Sequence, residues 1–127
     1  MLQKGRTVST SVAGSLIDGA PVVTGGGVHQ VINPATGEVV ADYVLAAPAD
    51  VDRAVASARA ALPGWATATP VERSGVLAKL AALAGEHADD LVAEEVSQTG
   101  KPVRLAGEFD VPGSIDNIDF FAGAARH

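Results

Sequence analysis

Between Ser15 and Leu45 the apolar residues come in short runs broken by Gly, Asp and Pro: Ser15-Leu16-Ile17, Pro21-Val22-Val23, Val28 to Asn33, and Glu38 to Leu45. Runs of that length and punctuation predict β-strands. Asp18-Gly19 between the first two is a hairpin signal, because both residues tolerate positive φ. Pro21 has no N–H for a ladder, which puts its strand at an edge. Gly25-Gly26-Gly27 reads as a flexible connection, and Ile32 to Glu38 as a compact turn: Asn33 caps it, Pro34 fixes φ and Gly37 supplies a positive φ.

From Pro48 onward the spacing becomes helical. Val51, Val55, Ala58 and Leu62 share a face that Asp52, Arg53 and Arg59 avoid. Pro48 suits a first helical turn and Asp50 the positive end of a helix dipole. Pro63-Gly64 is expected to end this helix. Thr69-Pro70-Val71-Glu72 is a capping box that opens a second, with Leu77, Leu80, Ala81 and Ala84 as its stripe. Gly85 is expected to break it before a third helix carrying Ala88, Leu91, Val92 and Val96. Gly100 followed by Pro102 is a stop. Helix resumes from Val103, with a kink or restart at Asp110-Val111-Pro112. The fold class is therefore α/β, with N-terminal β-hairpins followed by α-helices. Met1 to Gly14, rich in Ser, Thr and Gly without a period, reads as a poorly ordered tail, and residues 15–127 as one segment of a domain.

Composition narrows what this architecture does. Hydrophobic residues make up 47% of the 127 but aromatics only 4%. Small side chains bury little area each, at about 25 cal/mol per Å², so the core is expected to be thin. A net charge of −6 and a pI near 4.8 argue against a nucleic-acid partner, which calls for clustered Lys and Arg. No apolar run approaches the roughly 18 residues of a membrane span, and the N-terminus lacks the apolar stretch of a signal peptide. A cytoplasmic location follows as the default. The absence of cysteine removes disulfides, Cys-ligated metal and thiol nucleophiles from these residues.

Residue chemistry alone shows no catalytic site. His29, His87 and His127 are scattered without ligand spacing. Asp89-Asp90, Asp116 and Asp119 read as solvated charge on helix faces. No G-x-G-x-x-G, phosphate loop or nucleophile elbow occurs, and the triple glycine is not followed by a helix. Thr99-Gly100-Lys101-Pro102 leaves a lysine beside the carbonyls of a helix C-terminus.

In order along the chain, however, Ile32 to Glu38, Asp50-Val51-Asp52-Arg53-Ala54-Val55, Trp65, Pro70-x-Glu72-Arg73, Thr99-Gly100-Lys101-Pro102, Asp110-Val111-Pro112 and Phe120-Phe121-Ala122-Gly123 resemble the opening of an NAD(P)-dependent aldehyde dehydrogenase. The resemblance covers roughly residues 15–127, and its ending is most similar to γ-aminobutyraldehyde and other aminoaldehyde dehydrogenases. It implies an incomplete piece of the Rossmann-type cofactor-binding domain. In this family a cysteine thiolate attacks the aldehyde, the thiohemiacetal passes hydride to the nicotinamide, and a glutamate-activated water releases the acid. Those groups and the nucleotide-binding segments follow the region matched here. The chain is thus expected to hold no catalytic residue, to bind neither NAD nor NADP alone, and to be inactive by itself.

Within the intact enzyme the resemblance places Phe109, Asp110 and Gly113 along the substrate tunnel. Asp110 is then a candidate receptor for a substrate ammonium, its plainer role being a helix N-cap. Gly113 departs from the acidic or bulky residue often found there. Some relatives hold a monovalent cation through a carbonyl near Ile32 and an Asp at the position of Gln98. The intact enzyme would take a small-molecule aldehyde and assemble as a homo-oligomer. The chain ends at His127 with an apolar helix face still open, as expected of a portion cut before the chemistry begins. The alternative is a non-catalytic module that binds another protein through that face.

Overall fold

The computed structural model describes residues 14–126. The tail expected over Met1 to Gly14 lies, apart from Gly14, outside the described residues, as does His127. The chain divides into two compact units that meet between Ala60 and Ala61.

The first unit holds two separate two-stranded antiparallel sheets. Strands β1 (Ser15–Ile17) and β2 (Ala20–Val22) pair Ser15 with Val22 and Ile17 with Ala20. Asp18 and Gly19 between them have φ of 57° and 71°. Two consecutive positive φ values match the right-handed twist of the strands, which is why this dipeptide makes the hairpin. Strands β3 (Val28–Ile32) and β4 (Val39–Val44) run in register from Val28 opposite Val44 to Val31 opposite Ala41, then slip so that Ile32 faces Val39. The turn joining them is built as its residues dictate. Asn33 Oδ1 accepts from the Ala35 amide at 2.8 Å, Asn33 O accepts from the Gly37 amide at 2.8 Å, and Gly37 has φ of 76°.

The triple glycine is held rather than flexible. The Gly26 amide donates to Leu45 O, the Leu45 amide donates to Gly27 O, both at 2.9 Å, and buried Thr24 donates to Val44 O. Helix α1 (Pro48–Thr67) follows and runs through Pro63, so Pro63-Gly64 does not end it. A proline removes one amide and crowds one carbonyl. Beyond it, Thr67 Oγ1 donates to Pro63 O at 2.9 Å and to Gly64 O at 3.2 Å, which satisfies an otherwise orphaned end carbonyl.

The second unit is helical. Helix α2 (Pro70–Glu86) opens on the expected capping box: the Thr69 amide donates to Glu72 Oε2 at 2.7 Å and the Glu72 amide to Thr69 Oγ1 at 3.3 Å. The Thr69 amide first, and the Thr69 hydroxyl donating to the same Oε2 at 2.8 Å second, hold the Glu72 carboxyl below its ordinary pKa. Gly85 does not break the helix. The break falls at His87, whose φ of −108° and ψ of 19° leave the helical region. A glycine keeps its helical hydrogen bonds unless it turns left-handed, and here Gly100 is the one that does, with φ of 69° at the end of α3 (Ala88–Thr99).

The chain then continues as a short helix α4 (Val103–Leu105), a π-helical turn (Ala106–Asp110) and α5 (Val111–Ala124). The expected restart at Asp110-Val111-Pro112 is this π-turn. Helix α5 packs along α2, and the π-turn against α3. The interior is small-chained: Ala81, Ala106, Val111 and Ala122 are its buried apolar residues. No large side chain is fully buried among the described residues, as the composition foretold. Val51, Val55 and Leu62 on α1 remain about half exposed, so the stripe read there is uncovered.

Candidate functional site

The site grows out of the helix stop at Gly100. A left-handed glycine turns the chain sharply, and Lys101, the next residue, is sent back across the end of α3 instead of onward in solvent. Its Nζ donates to Glu95 Oε1 at 2.8 Å and lies 2.7 Å from Asp110 Oδ2. The lysine therefore bridges two carboxylates, one on α3 and one at the end of the π-turn, and does not sit on the helix carbonyls. Hydrogen bonding to Asp110, then to Glu95, raises its pKa above the ordinary lysine value. The three formal charges sum to one excess negative.

The π-turn sets how Asp110 is presented. The Val111 amide donates to Ala106 O, five residues back, where an α-helix would use the fourth. Pro112 explains the widening, since its ring would crowd the carbonyl four residues earlier and it has no amide to offer. The extra residue lets Ala106 and Val111 both turn inward, at 0% and 8% exposure. Phe109, by contrast, stays 59% exposed, and the Asp110 side chain 44%. Asp110 has helical φ and ψ of −71° and −50° and makes no capping bond. Its plainer expected role, N-cap of the last helix, is not what the structure shows.

Beside the bridge lies an open cavity of about 460 Å³, with Leu91, Val111, Ile115 and Ile118 as apolar wall and Glu95, Lys101 and Asp110 as polar rim. Of the three tunnel candidates, the cavity takes Asp110 alone. Phe109 projects from the same turn, outside its lining. Gly113 lies a turn further on; its carbonyl accepts from Asn117 Nδ2 at 2.9 Å, and a Cβ there would meet nothing within 4 Å. The room that a larger residue would take at this position is open. Glu95 is the member that sequence reading missed. The signal was its place on the last turns of α3, facing a lysine that only a left-handed Gly100 returns to it.

Ile32 ends β3 in the first unit, 52% exposed. Gln98 lies on α3 in the second, its Nε2 donating to Glu94 Oε2 at 3.0 Å. Among the described residues no group of three or more His, Cys, Asp or Glu converges as a metal site. His29 packs its ring against Tyr43 at 5.2 Å, and His87 Nδ1 lies 3.5 Å from Asp90 at the surface.

Residues 23–127 match the model of the aldehyde dehydrogenase family. The chain belongs to the aldehyde dehydrogenase family. It is 38% identical over 95 residues to the 2-aminomuconic semialdehyde dehydrogenase of Bos taurus, across 75% of this chain and 20% of that protein. Among solved structures it is similar to the γ-glutamyl-γ-aminobutyraldehyde dehydrogenase of Burkholderia cenocepacia J2315, with 36% identity, 94% of this chain, 25% of that one and a TM-score of 0.86. An NAD⁺ complex of an aldehyde dehydrogenase from Bacillus cereus superposes with a TM-score of 0.85 at 34% identity, over 89% of this chain and 24% of that one. This aldehyde dehydrogenase chain thus spans about a fifth of its bovine relative's length and about a quarter of the solved chains. Its hairpins and following helices match the N-terminal part of that fold.

Proposed function

We propose that this chain is the N-terminal portion of an NAD(P)-dependent enzyme that oxidises an aldehyde to its acid, and that the chain by itself is inactive. The carrying observation is the family match from residue 23 to residue 127 in a sequence with no cysteine. Thiolate chemistry, which the resemblance implies for the family, has no nucleophile among these residues.

The dinucleotide, which would accept the hydride, finds no cradle at the glycine-rich segment. The Gly25 amide already donates to Asp50 and the Gly26 amide to Leu45, so neither is free to hold a pyrophosphate. The N-terminus of α2 is closed by its own Glu72.

What these residues contribute is a wall for the substrate. Phe109 offers an exposed aromatic face, Gly113 offers space, and Asp110 with Glu95 and Lys101 offers one excess negative charge above an apolar floor. That charge supports an aldehyde bearing an ammonium, such as 4-aminobutyraldehyde, as the substrate of the intact enzyme. The intact enzyme is read as a cytoplasmic homo-oligomer; no helix among the described residues is long and apolar enough to cross a membrane. The test is to supply the purified chain with 4-aminobutyraldehyde and either NAD or NADP and follow reduced nicotinamide. No turnover is expected, and cofactor reduction by this chain would sink the proposal.

One observation favours the second reading, a protein-binding module. Phe120 and Phe121 meet edge to face at 5.3 Å yet are 68% and 59% exposed, an apolar pair of the sort that marks an interaction surface. A monodisperse self-assembly in solution would favour the module; a monomer, or non-specific aggregation through the exposed pair, would favour the catalytically incomplete portion.

A further inference from the structure

We propose that Lys101 is a positioning residue: by bridging Glu95 and Asp110 it ties the π-turn to the end of α3 and so fixes where Phe109 and Asp110 point. What it positions rests on the tunnel reading above; the clamp itself does not.

Three observations meet here. The π-turn is an irregular piece of helix, held at its downstream end by the Val111-to-Ala106 bond and at its upstream end by the Leu105 and Ala106 amides, which both donate to Pro102 O. Wide turns of this kind are weaker than α-helix and persist where the surroundings over-determine them. Below the turn, Ala106 and Val111 are buried, but both are small, and the neighbouring Gly107 would meet only Val92 Cγ2, at 4.0 Å, were a Cβ present. Apolar packing alone therefore holds the turn loosely.

The third observation is the bridge. Lys101 and Glu95 are each about one-third exposed, and the two contacts, at 2.8 and 2.7 Å, share one ammonium. A partly sheltered charge held between two carboxylates resists salt better than a lone surface pair and selects one geometry of the backbone that carries them. The Lys101 amide also donates to Thr99 Oγ1 at 3.2 Å, so the base of the lysine is itself fixed. Pro102 follows at once and restricts the Lys101 backbone to extended values. The stop in the sequence Thr99-Gly100-Lys101-Pro102 is then a rigid arm aimed at Asp110.

The test is amide hydrogen exchange on the full chain, comparing Lys101→Met, Lys101→Arg and Asp110→Asn with the unsubstituted protein. Lys101→Met is expected to speed exchange at the Ala106 and Val111 amides by about tenfold or more, through local opening of the turn. The amides in the middle of α2 should be unmoved, and Lys101→Arg should restore most of the protection. Asp110→Asn is expected to open the same two amides, which keeps the test decisive if Lys101→Met fails to fold. Unchanged exchange in the variants, equal acceleration throughout α2, or an unprotected turn in the unsubstituted chain would each overturn the clamp. Because exchange is read without substrate, its outcome is separate from that of the tunnel reading.

Discussion

Asp50 Oδ2 accepts a hydrogen bond from the Gly25 amide at 2.9 Å, across twenty-five residues of sequence. The same oxygen accepts from the Ala47 amide at 3.0 Å, and the Asp50 amide donates to Ala47 O at 2.9 Å. Ala47 stands where a helix N-cap would, and an alanine cannot supply the capping oxygen. Asp50 reaches back to supply half of a capping box and uses its spare capacity to pin the glycine segment. One carboxylate thus joins the hairpin connection to the start of α1.

Those two backbone bonds, from Gly25 first and Ala47 second, lower the Asp50 pKa from its ordinary 3.8. A depressed carboxylate contributes stability that is present above the unfolded value and is lost as pH falls through the folded value. Asp50→Asn should therefore be less stable than the unsubstituted chain near neutral pH, and the gap should close in acid below about pH 3.8. Urea unfolding at a series of pH values reads this directly. A gap that stays constant down to strong acid would show that the charge is not what matters.

Gly26 and Gly27 are adjacent and predict opposite outcomes. A Cβ on Gly26 would lie 2.2 Å from Leu45 O and 2.6 Å from Leu45 C, while one on Gly27 would meet nothing within 4 Å. The obstacle at Gly26 is backbone, which cannot swing aside as a side chain does. Gly26→Ala should cost about 1–3 kcal/mol, the range for forced overpacking, and Gly27→Ala less than about 0.5 kcal/mol. Equal midpoints in denaturant would refute the close approach.

The contrast shows what sequence reading reached here and what it did not. The Asp18-Gly19 hairpin, the Asn33 turn, the Thr69–Glu72 capping box and the Gly100 stop were all readable, because each is settled by residues within a few positions of one another. Pro63 and Gly85 misled for the same reason: local breakers weaken a helix by a fixed amount, and neighbouring bonds outweighed them. The three glycines looked flexible because their tethers, Asp50 and Leu45, lie some twenty residues away. The candidate site divides the same way. Phe109, Asp110 and Gly113 came from resemblance, whereas the Lys101 bridge depends on how α3 and the π-turn approach in space, which no periodicity encodes.

Ala106 tests how tightly the π-turn is seated. It is fully buried beneath the turn, and the wide turn exists so that both Ala106 and Val111 point inward. Ala106→Leu should overpack that seat and destabilise the chain by about 1–3 kcal/mol. Ala124, exposed at the end of α5, is the matched control, and Ala124→Leu should change stability by less than about 0.5 kcal/mol. Thermal unfolding of the two variants side by side decides it.

The Lys101 bridge makes a prediction at alkaline pH. The lysine pKa is raised, chiefly by Asp110 and then by Glu95. A raised base contributes stability that is complete below its unfolded value, 10.5, and is lost only as pH climbs through the folded one. Protection of the Val111 amide should therefore persist, after correction for intrinsic exchange, up to about pH 10 and fall above it. In Lys101→Met that alkaline loss should vanish. Loss of protection near neutral pH in the unsubstituted chain would mean another group holds the turn.

The charge of the Asp110 cluster makes a prediction about substrate. Glu95 and Asp110 outnumber Lys101 by one at the rim of an apolar cavity, so in the full-length enzyme carrying this segment an ammonium on the aldehyde would be drawn toward that rim. Asp110→Asn removes the excess and keeps the side chain's size, and because any opening of the turn acts on both aldehydes alike, it cancels in their ratio. It should lower kcat/KM for 4-aminobutyraldehyde relative to butyraldehyde by about two- to fivefold, the size expected of a partly exposed charge pair, with most of the change in KM because remote charge binds ground and transition states alike. Phe109→Ala, which removes an exposed aromatic face and no charge, should weaken both aldehydes together. If Asp110→Asn also slows the two substrates equally, the carboxylate serves the turn and not the ammonium, and the proposed preference for an aminoaldehyde loses its support from this rim.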